Sequence, residues 1–373
     1  MNEPILEMKN ISKNFGSVIA LKNVNLEVYP GEIRGLIGEN GSGKSTISSI
    51  AAGMQKASAG EMMFKGKKWE PSSMIDALQN GIGMVVQESG TIAGVTVAEN
   101  MFLAELVQFK NKFGLISKNK MNQKATEAMK AIGVSNVTGD MNMMTLDFQT
   151  RKLVEIAKVI MKNPEILVID ETSTALSQDG REIMYKLIRK FRDNGKAVIF
   201  ISHDLEEIME VCDTLTVLRD GTLIRTFQKE EFDADKIRTS MIGRELQGDY
   251  YRSDFTPSSQ TETALTANNL KYREELKSVD LVLKKGEIVG VGGLSSCGMH
   301  ALGKALFGGL ELEEGEVKTA DGCSITNPHI AVNHKIGYVS KDRDTESLCL
   351  SASIRDNIAI GGMEKYAVNN FLI

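Results

Sequence analysis

The sequence predicts an α/β fold built on a parallel sheet, and three observations carry that expectation. A glycine-rich loop, Gly38-Glu39-Asn40-Gly41-Ser42-Gly43-Lys44-Ser45-Thr46, stands between a short apolar run, Ile33 to Ile37, and a helix-like segment from Ser45 to Ala52. Two further apolar runs, Ile166 to Ile169 and Ala197 to Ile201, each deliver a polar cluster, Asp170-Glu171 and Ser202-His203-Asp204. Unbroken apolar strands that alternate with helices belong to sheets buried on both faces, so a phosphate site at one edge of such a sheet is expected.

Taken in order, residues 5 to 29 read as two extended runs joined by a turn at Asn14-Phe15-Gly16-Ser17, with Leu21, Val24, Leu26 and Val28 in strand-like alternation. Pro30-Gly31 punctuates the entry to the next strand. Ile82 to Val86 is another buried-strand signal, closed by Gln87-Glu88. Between Val97 and Met144 the pattern turns helical, with a break at Gly133, and predicts an inserted helical subdomain over about 97–160. Its methionines Met121, Met129, Met141, Met143 and Met144 are expected to fill core gaps. Leu153, Ile156, Ala157, Ile160 and Met161 recur at helical spacing until Asn163-Pro164 ends the helix. A second helix is expected over Gly180 to Asp193, and Leu215 to Leu218 and Thr222 to Thr226 flank Asp220-Gly221 as a hairpin.

At 373 residues the chain has room for two or three domains. Charged residues make up 25% and the net charge is -5, so no broad basic field points to nucleic acid and no polybasic run to anionic lipid. The four cysteines, Cys212, Cys297, Cys323 and Cys349, have neither the spacing of a zinc site nor the density of a disulfide frame. No apolar run approaches the ~18 residues of a membrane span and no signal segment opens the chain, so a cytoplasmic protein is expected, working at a membrane only by docking on another protein.

The loop fits a glycine, four residues, then Gly-Lys-Ser, in the strand-to-helix setting that binds phosphate. Glycines let backbone N–H groups face phosphate oxygens, and the following helix aims its positive end at them. Lys44 is then expected on the β and γ phosphates and Ser45 on Mg²⁺. Asp170 at a strand end is expected to bind magnesium indirectly or through a water, Glu171 to orient or deprotonate an attacking water, and His203 to hold the γ-phosphate. Phe15 in its turn can stack on an adenine ring or anchor the hairpin, and the phosphate loop downstream favours stacking.

In this order the motifs resemble those of an ATP-binding cassette ATPase. The resemblance makes Phe15 the adenine platform, Gly38 to Ser45 the phosphate loop with Thr46 among the nucleotide-binding residues, Gln87 the Q-loop residue with a catalytic and metal-binding role, Ile166 to Asp170 the Walker B strand, Glu171 the catalytic base and His203 the switch histidine. More narrowly, the chain looks like the ATPase subunit of bacterial sugar or nucleoside importers of the ribose and galactose type, in which one polypeptide carries two cassettes. Ser240-Met241-Ile242-Gly243-Arg244-Glu245-Leu246 resembles the close of the first cassette in that family. The resemblance implies ATP and Mg²⁺, a membrane permease as partner, a periplasmic or lipoprotein substrate-binding protein indirectly, and a place on the cytoplasmic face of the membrane.

The expected domains are a first cassette at 4–247, a linker at 248–262 and a partial, degenerate second cassette at 263–373. Gly286-Glu287-Ile288-Val289-Gly290-Val291-Gly292-Gly293 echoes residues 31–38 at an offset of 255, which sets Gly298, Met299 and His300 against Gly43, Lys44 and Ser45. The second loop therefore lacks the cation and the hydroxyl. Ile336-Gly337-Tyr338-Val339 repeats Ile82-Gly83-Met84-Val85, and Lys341-Asp342-Arg343 resembles the family's acidic element near the second Q-loop, after which the second signature, Walker B and switch histidine are absent.

The first cassette's signature, Leu-Ser-x-Gly-Gln in the family, is replaced by Leu146-Asp147-Phe148-Gln149-Thr150. A carboxylate ~4 Å from a phosphate charge costs about 4 kcal/mol at an effective dielectric near 20, so this loop is expected to cap its own helix through Asp147 instead of clamping ATP. Cassettes of this family pair head to tail, which places both defects in one composite site. The loop at Lys44 then needs a signature from elsewhere, whether a second cassette or a second ATPase chain or copy. The rival reading is a non-catalytic or regulatory ATP-binding remnant.

Overall fold

In this computed structural model the described residues are 3–87, 90–92, 94–243, 261–293, 297–340, 346–362, 367–368 and 371–372. They fall into two compact units, Met1–Tyr250 and Tyr251–Ile373. Most of the expected linker, along with Glu88, Arg244 to Leu246 and Lys341 to Arg343, lies outside the described residues.

Unit 1 begins with β1 (Leu6–Phe15) and β2 (Val18–Val28), an antiparallel pair turned at Gly16-Ser17. The strand β3 (Ile33–Ile37), wholly buried, runs through the glycine loop into α1 (Lys44–Ala51). Then follow β4 (Ala59–Phe64), β5 (Lys67–Lys68), α2 (Met74–Asn80) and β6 (Ile82–Val85). The helices α3 (Val97–Phe102), α4 (Lys118–Ala131) and α5 (Phe148–Ile160) form the inserted portion, and α4 stops before Gly133, whose φ is 89°. Next come β7 (Ile166–Asp170), α6 (Gln178–Asp193), β8 (Ala197–Ile201), α7 (Leu205–Val211), β9 (Thr214–Arg219), β10 (Thr222–Gln228) and α8 (Ala234–Ile242). Asp220 and Gly221 both take left-handed backbone, as a two-residue hairpin turn requires.

Two sheets result. The first is antiparallel, in the order β2-β1-β4-β5, and the second runs β10-β9-β3-β8-β7-β6 with β9, β3, β8, β7 and β6 parallel. Side-chain alternation divides the core between the two faces of the parallel sheet. Ile166, Val168, Ala197, Ile199 and Ile201 pack towards α1 and the antiparallel sheet. Leu167, Ile169, Val198 and Phe200 pack towards the helices of the other face.

Three expectations change. The strand that feeds the phosphate loop is interior to the sheet, between β9 and β8, because its apolar side chains are buried on both faces. The helical pattern from Val97 to Met144 breaks into shorter pieces, and Met144 is 66% exposed at a turn while Met121, Met129 and Met143 are buried and Met141 packs at the core margin. The repeats of β3 and β6 in unit 2 form no strands: residues 287–293 and 335–340 are irregular, and Ile288 and Val339 are each 94% exposed. A parallel strand is held by neighbours distant in sequence, and β3 is paired by β8 and β9.

The locally determined parts of the repeat do form in unit 2. β11 (Thr263–Tyr272) pairs antiparallel with β12 (Leu276–Lys284) and with β13 (Glu314–Thr319), as β1 does with β2 and β4. α9 (Met299–Leu306) begins at left-handed Gly298, matching α1 at left-handed Gly43, and α10 (Pro328–Asn333) matches α2. Leu265, Leu270, Leu302, Ala305 and Val317 form a core of their own.

Candidate active site

The carboxyl ends of β3, β6, β7 and β8 bring the expected residues to one end of the sheet, where open α/β sheets bind ligands. Between β3 and α1 the glycine loop curls over the helix start. A Cβ at Gly43, whose φ is 102°, would meet Leu21 Cδ2 at 2.6 Å and the Ala20 carbonyl at 2.9 Å. One at Gly38 would meet the Leu218 carbonyl at 2.0 Å. Only glycine fits these two positions.

Lys44 lies under the loop, with Nζ donating to the carbonyls of Gly38 at 2.9 Å and Glu39 at 3.1 Å. Burial lowers its pKa, against the opposing pull of Glu171 and Asp170. Ser42 Oγ is buried with no hydrogen-bond partner among the described residues. An ammonium held in the loop by its own carbonyls, and a buried hydroxyl of the same loop with no partner among the described residues, suit a phosphate oxygen.

Ser45 Oγ donates to Asp170 Oδ1 at 3.1 Å, which joins the start of α1 to the end of β7. Asp170 is 4% exposed, and burial, aided by neighbouring Glu171, raises its pKa to about 6 despite the Ser45 hydrogen bond and Lys44. A buried carboxylate beside a hydroxyl is a fit donor set for a hard divalent cation, whose charge would relieve that desolvation. Gln87, just beyond β6, donates from Nε2 to Glu171 Oε2 at 2.8 Å. Glu171 takes left-handed backbone, φ 42° and ψ 32°, a conformation costing ~1–3 kcal/mol.

His203, after β8, is exposed, and Asp204 beside it caps α7 by accepting from the amides of Glu206 and Glu207. Phe15 stands 47% exposed at the β1–β2 turn, with Lys13 Nζ 5.0 Å from its ring. Among the bonds described, Phe15 and His203 make no contact with Lys44, Ser45, Gln87, Asp170 or Glu171; Ser45 meets Asp170 and Gln87 meets Glu171, and Lys44 feels the charges of Glu171 and Asp170 without bonding either.

Asp147 caps α5 as its position predicts, accepting from Thr150 N at 2.8 Å. Gln149 is also engaged internally, its Oε1 accepting from Ser177 N at 2.6 Å. Sequence reasoning did not single out Lys152 and Glu155. Lys152 Nζ bonds Glu155 Oε2 at 2.8 Å and the Val86 carbonyl at 3.0 Å, and Gly90 N donates to Glu155 Oε1 at 2.7 Å, so a buried ion pair on α5 grips the backbone around Gln87. The available signal was two opposite charges, i and i+3, on a helix face that is otherwise apolar.

A family model described as ABC transporter matches residues 21–174. The ribose import ATP-binding protein RbsA of Caldanaerobacter subterraneus subsp. tengcongensis is 35% identical over 364 residues, 97% of this chain and 72% of that protein. RbsA of Bacillus subtilis is 34% identical over 97% of this chain and 72% of its own length. This chain belongs to the ATP-binding cassette transporter family. Solved cassettes share the fold of its first unit. A post-hydrolysis cassette dimer bound to ADP and Pi, 27% identical, covers 61% of this chain and 100% of its own, with a TM-score of 0.53. The ADP conformation of another transporter cassette, 26% identical, covers 65% and 99%, with a TM-score of 0.55. Family membership makes the chain a transport ATPase and disfavours the reading as a non-catalytic remnant. Among the described residues no helix is long and apolar enough to cross a membrane.

Proposed function

We propose that the chain energises uptake of a sugar, as the ATP-hydrolysing subunit docked on a membrane permease at the cytoplasmic face. The two ribose import proteins described above match nearly the whole chain, which supports the substrate class. The observation that carries the chemistry is the direct meeting of Ser45 with Asp170 and of Gln87 with Glu171 beside the buried Lys44.

In this reading the loop from Gly38 to Thr46 cradles the phosphates with its amides and Lys44 spans the β and γ groups. Ser45, Asp170 and Gln87 are the residues to hold Mg²⁺, which when bound spreads the charge developing on the transferred phosphoryl group. Glu171 orients a water in line with the γ-phosphorus and takes its proton as the new P–O bond forms and the bond to the β-phosphate oxygen breaks. Gln87 fixes the Glu171 carboxylate, His203 steadies the γ-phosphate, and Phe15 stacks on the adenine. The signature position at Asp147 and Gln149 serves its own helix and the Ser177 turn, so the clamp for this nucleotide comes from another cassette.

The test is equilibrium binding and turnover of Mg-ATP. Lys44→Ala should abolish binding. Glu171→Gln should bind ATP normally and lose about 100-fold or more in turnover, as removal of a general base does. Undiminished turnover by Glu171→Gln would refute the base assignment.

A further inference from the structure

Behind the strand ends lies a buried carboxylate that the proposed chemistry does not use. Glu207, in the first turn of α7, is 5% exposed, and no ion pair to it is found among the described residues. Its hydrogen bonds come from three hydroxyls. Ser202 Oγ donates to Oε2 at 2.5 Å, Ser173 Oγ donates to the same oxygen at 2.8 Å, and Tyr185 Oη on α6 donates to Oε1 at 2.5 Å. Ser202 and Ser173 are themselves 1% and 4% exposed. Burial, then the bond to Glu207, raises the Tyr185 pKa, so the phenol stays protonated and remains a donor.

The two serines are not arbitrary neighbours. Ser202 immediately precedes His203, and Ser173 lies two residues after Glu171. The strands that carry them are already zipped side by side, with Asp170 opposite Ile201 and Glu171 N donating to the Ile201 carbonyl at 3.0 Å. Beyond that last backbone bond the chains diverge, one into the turn at Thr172–Ala175 and the other towards α7. Glu207 Oε2 ties them together again at the first residues after the divergence. Ser202 Oγ also accepts from Asp204 N at 3.0 Å, so the same network brackets His203 on both sides.

We infer that Glu207 is a positioning residue for ATP hydrolysis, fixing the segment that carries Glu171 against the segment that carries His203 through one shared carboxylate oxygen. This rests on the roles proposed for Glu171 and His203. What it adds is that the two strand ends act as one unit and that hydrogen-bond geometry, not the negative charge, is what Glu207 supplies. A glutamine carbonyl can accept both serine hydroxyls while its amide donates to the Tyr185 oxygen; leucine can do neither.

The experiment compares Glu207→Leu, Glu207→Gln and the milder Ser202→Ala in the full chain. The readouts are ATP binding, turnover at saturating Mg-ATP, and the carbon-bound ring proton signals of the four histidines, three of which belong to unit 2. Glu207→Leu and Ser202→Ala should lower turnover by about tenfold or more, the range seen when a supporting hydrogen bond to a functional group is removed, with ATP affinity within about twofold. They should also move or broaden the His203 signal while those of His300, His329 and His334 stay in place. Glu207→Gln should restore turnover to within about threefold and return the His203 signal to its place. Failure of glutamine to rescue would mean that charge matters and would overturn the inference. So would an unmoved His203 signal in both Glu207→Leu and Ser202→Ala, or a parallel loss of ATP binding and turnover, which marks simple scaffolding. Failure of the underlying roles shows separately, as retained turnover in Glu171→Gln and His203→Ala.

Discussion

Replacing Glu155 with leucine takes the carboxylate from a lysine that has almost no access to water. The Lys152 and Glu155 side chains are 1% and 8% exposed and their charged atoms lie 2.8 Å apart. Breaking such a pair from one side costs about 3–5 kcal/mol, because the surviving charge stays desolvated, whereas replacing both members by apolar groups of similar volume is often near neutral. Glu155→Leu should therefore destabilise unit 1 by about 3–5 kcal/mol, and Lys152→Met combined with it should recover most of that loss. The chain's single tryptophan makes this measurable: Trp69 is buried in unit 1, its ring centroid 5.0 Å from that of Phe64, so its fluorescence follows that unit through urea unfolding. The double variant carries a second expectation. Both side chains hold the backbone on either side of Gln87, so the variant that regains stability should still turn over ATP more slowly than the parent. A loss below about 1 kcal/mol in Glu155→Leu, or a double variant as unstable as the sum of the singles, would show that the pair is not energetically coupled and refute the reasoning.

Two other substitutions probe the site. Gly43→Ala places a methyl group 2.9 Å from the Ala20 carbonyl at a backbone φ of 102°, so the loop must move. A penalty of about 1–3 kcal/mol should appear as a roughly tenfold or greater loss of ATP affinity, measured by titration calorimetry, and undiminished affinity would mean the loop yields without cost. Asp170 has a folded pKa raised to about 6 by burial, so its ionisation disfavours the folded state: that contribution to stability is intact below the unfolded value near 4 and is lost as pH rises through about 6. Asp170→Asn should thus stabilise the nucleotide-free protein by roughly 1–3 kcal/mol at pH 7.5, with the gain vanishing near pH 4, while Mg-dependent turnover is abolished. Equal unfolding midpoints for the two proteins across that range would contradict the assignment.

The sequence by itself determined the features whose information is local. A glycine, four residues and Gly-Lys-Ser after an apolar run specify the turn, the left-handed glycines and the helix start, and α1 begins where the motif requires. The apolar runs 166–170 and 197–201 could only be buried strands, and their polar ends placed Asp170, Glu171 and His203 at one end of the sheet. The replaced signature and the replaced second loop were also readable directly from residue identities, as was the capping role of Asp147. What the tertiary structure alone decided depends on partners far apart in the chain. The interior place of β3 follows from pairing with β8 and β9, more than 150 residues downstream, whereas the segment of unit 2 with the same local pattern, residues 287–293, is irregular. The bond between Gln87 and Glu171, the grip of Lys152 and Glu155 on the backbone around Gln87, and the convergence of Ser173, Tyr185 and Ser202 on Glu207 are likewise invisible in sequence. Which of these groups meet is settled only when packing excludes water, because desolvation and hydrogen-bond satisfaction then dictate the partners.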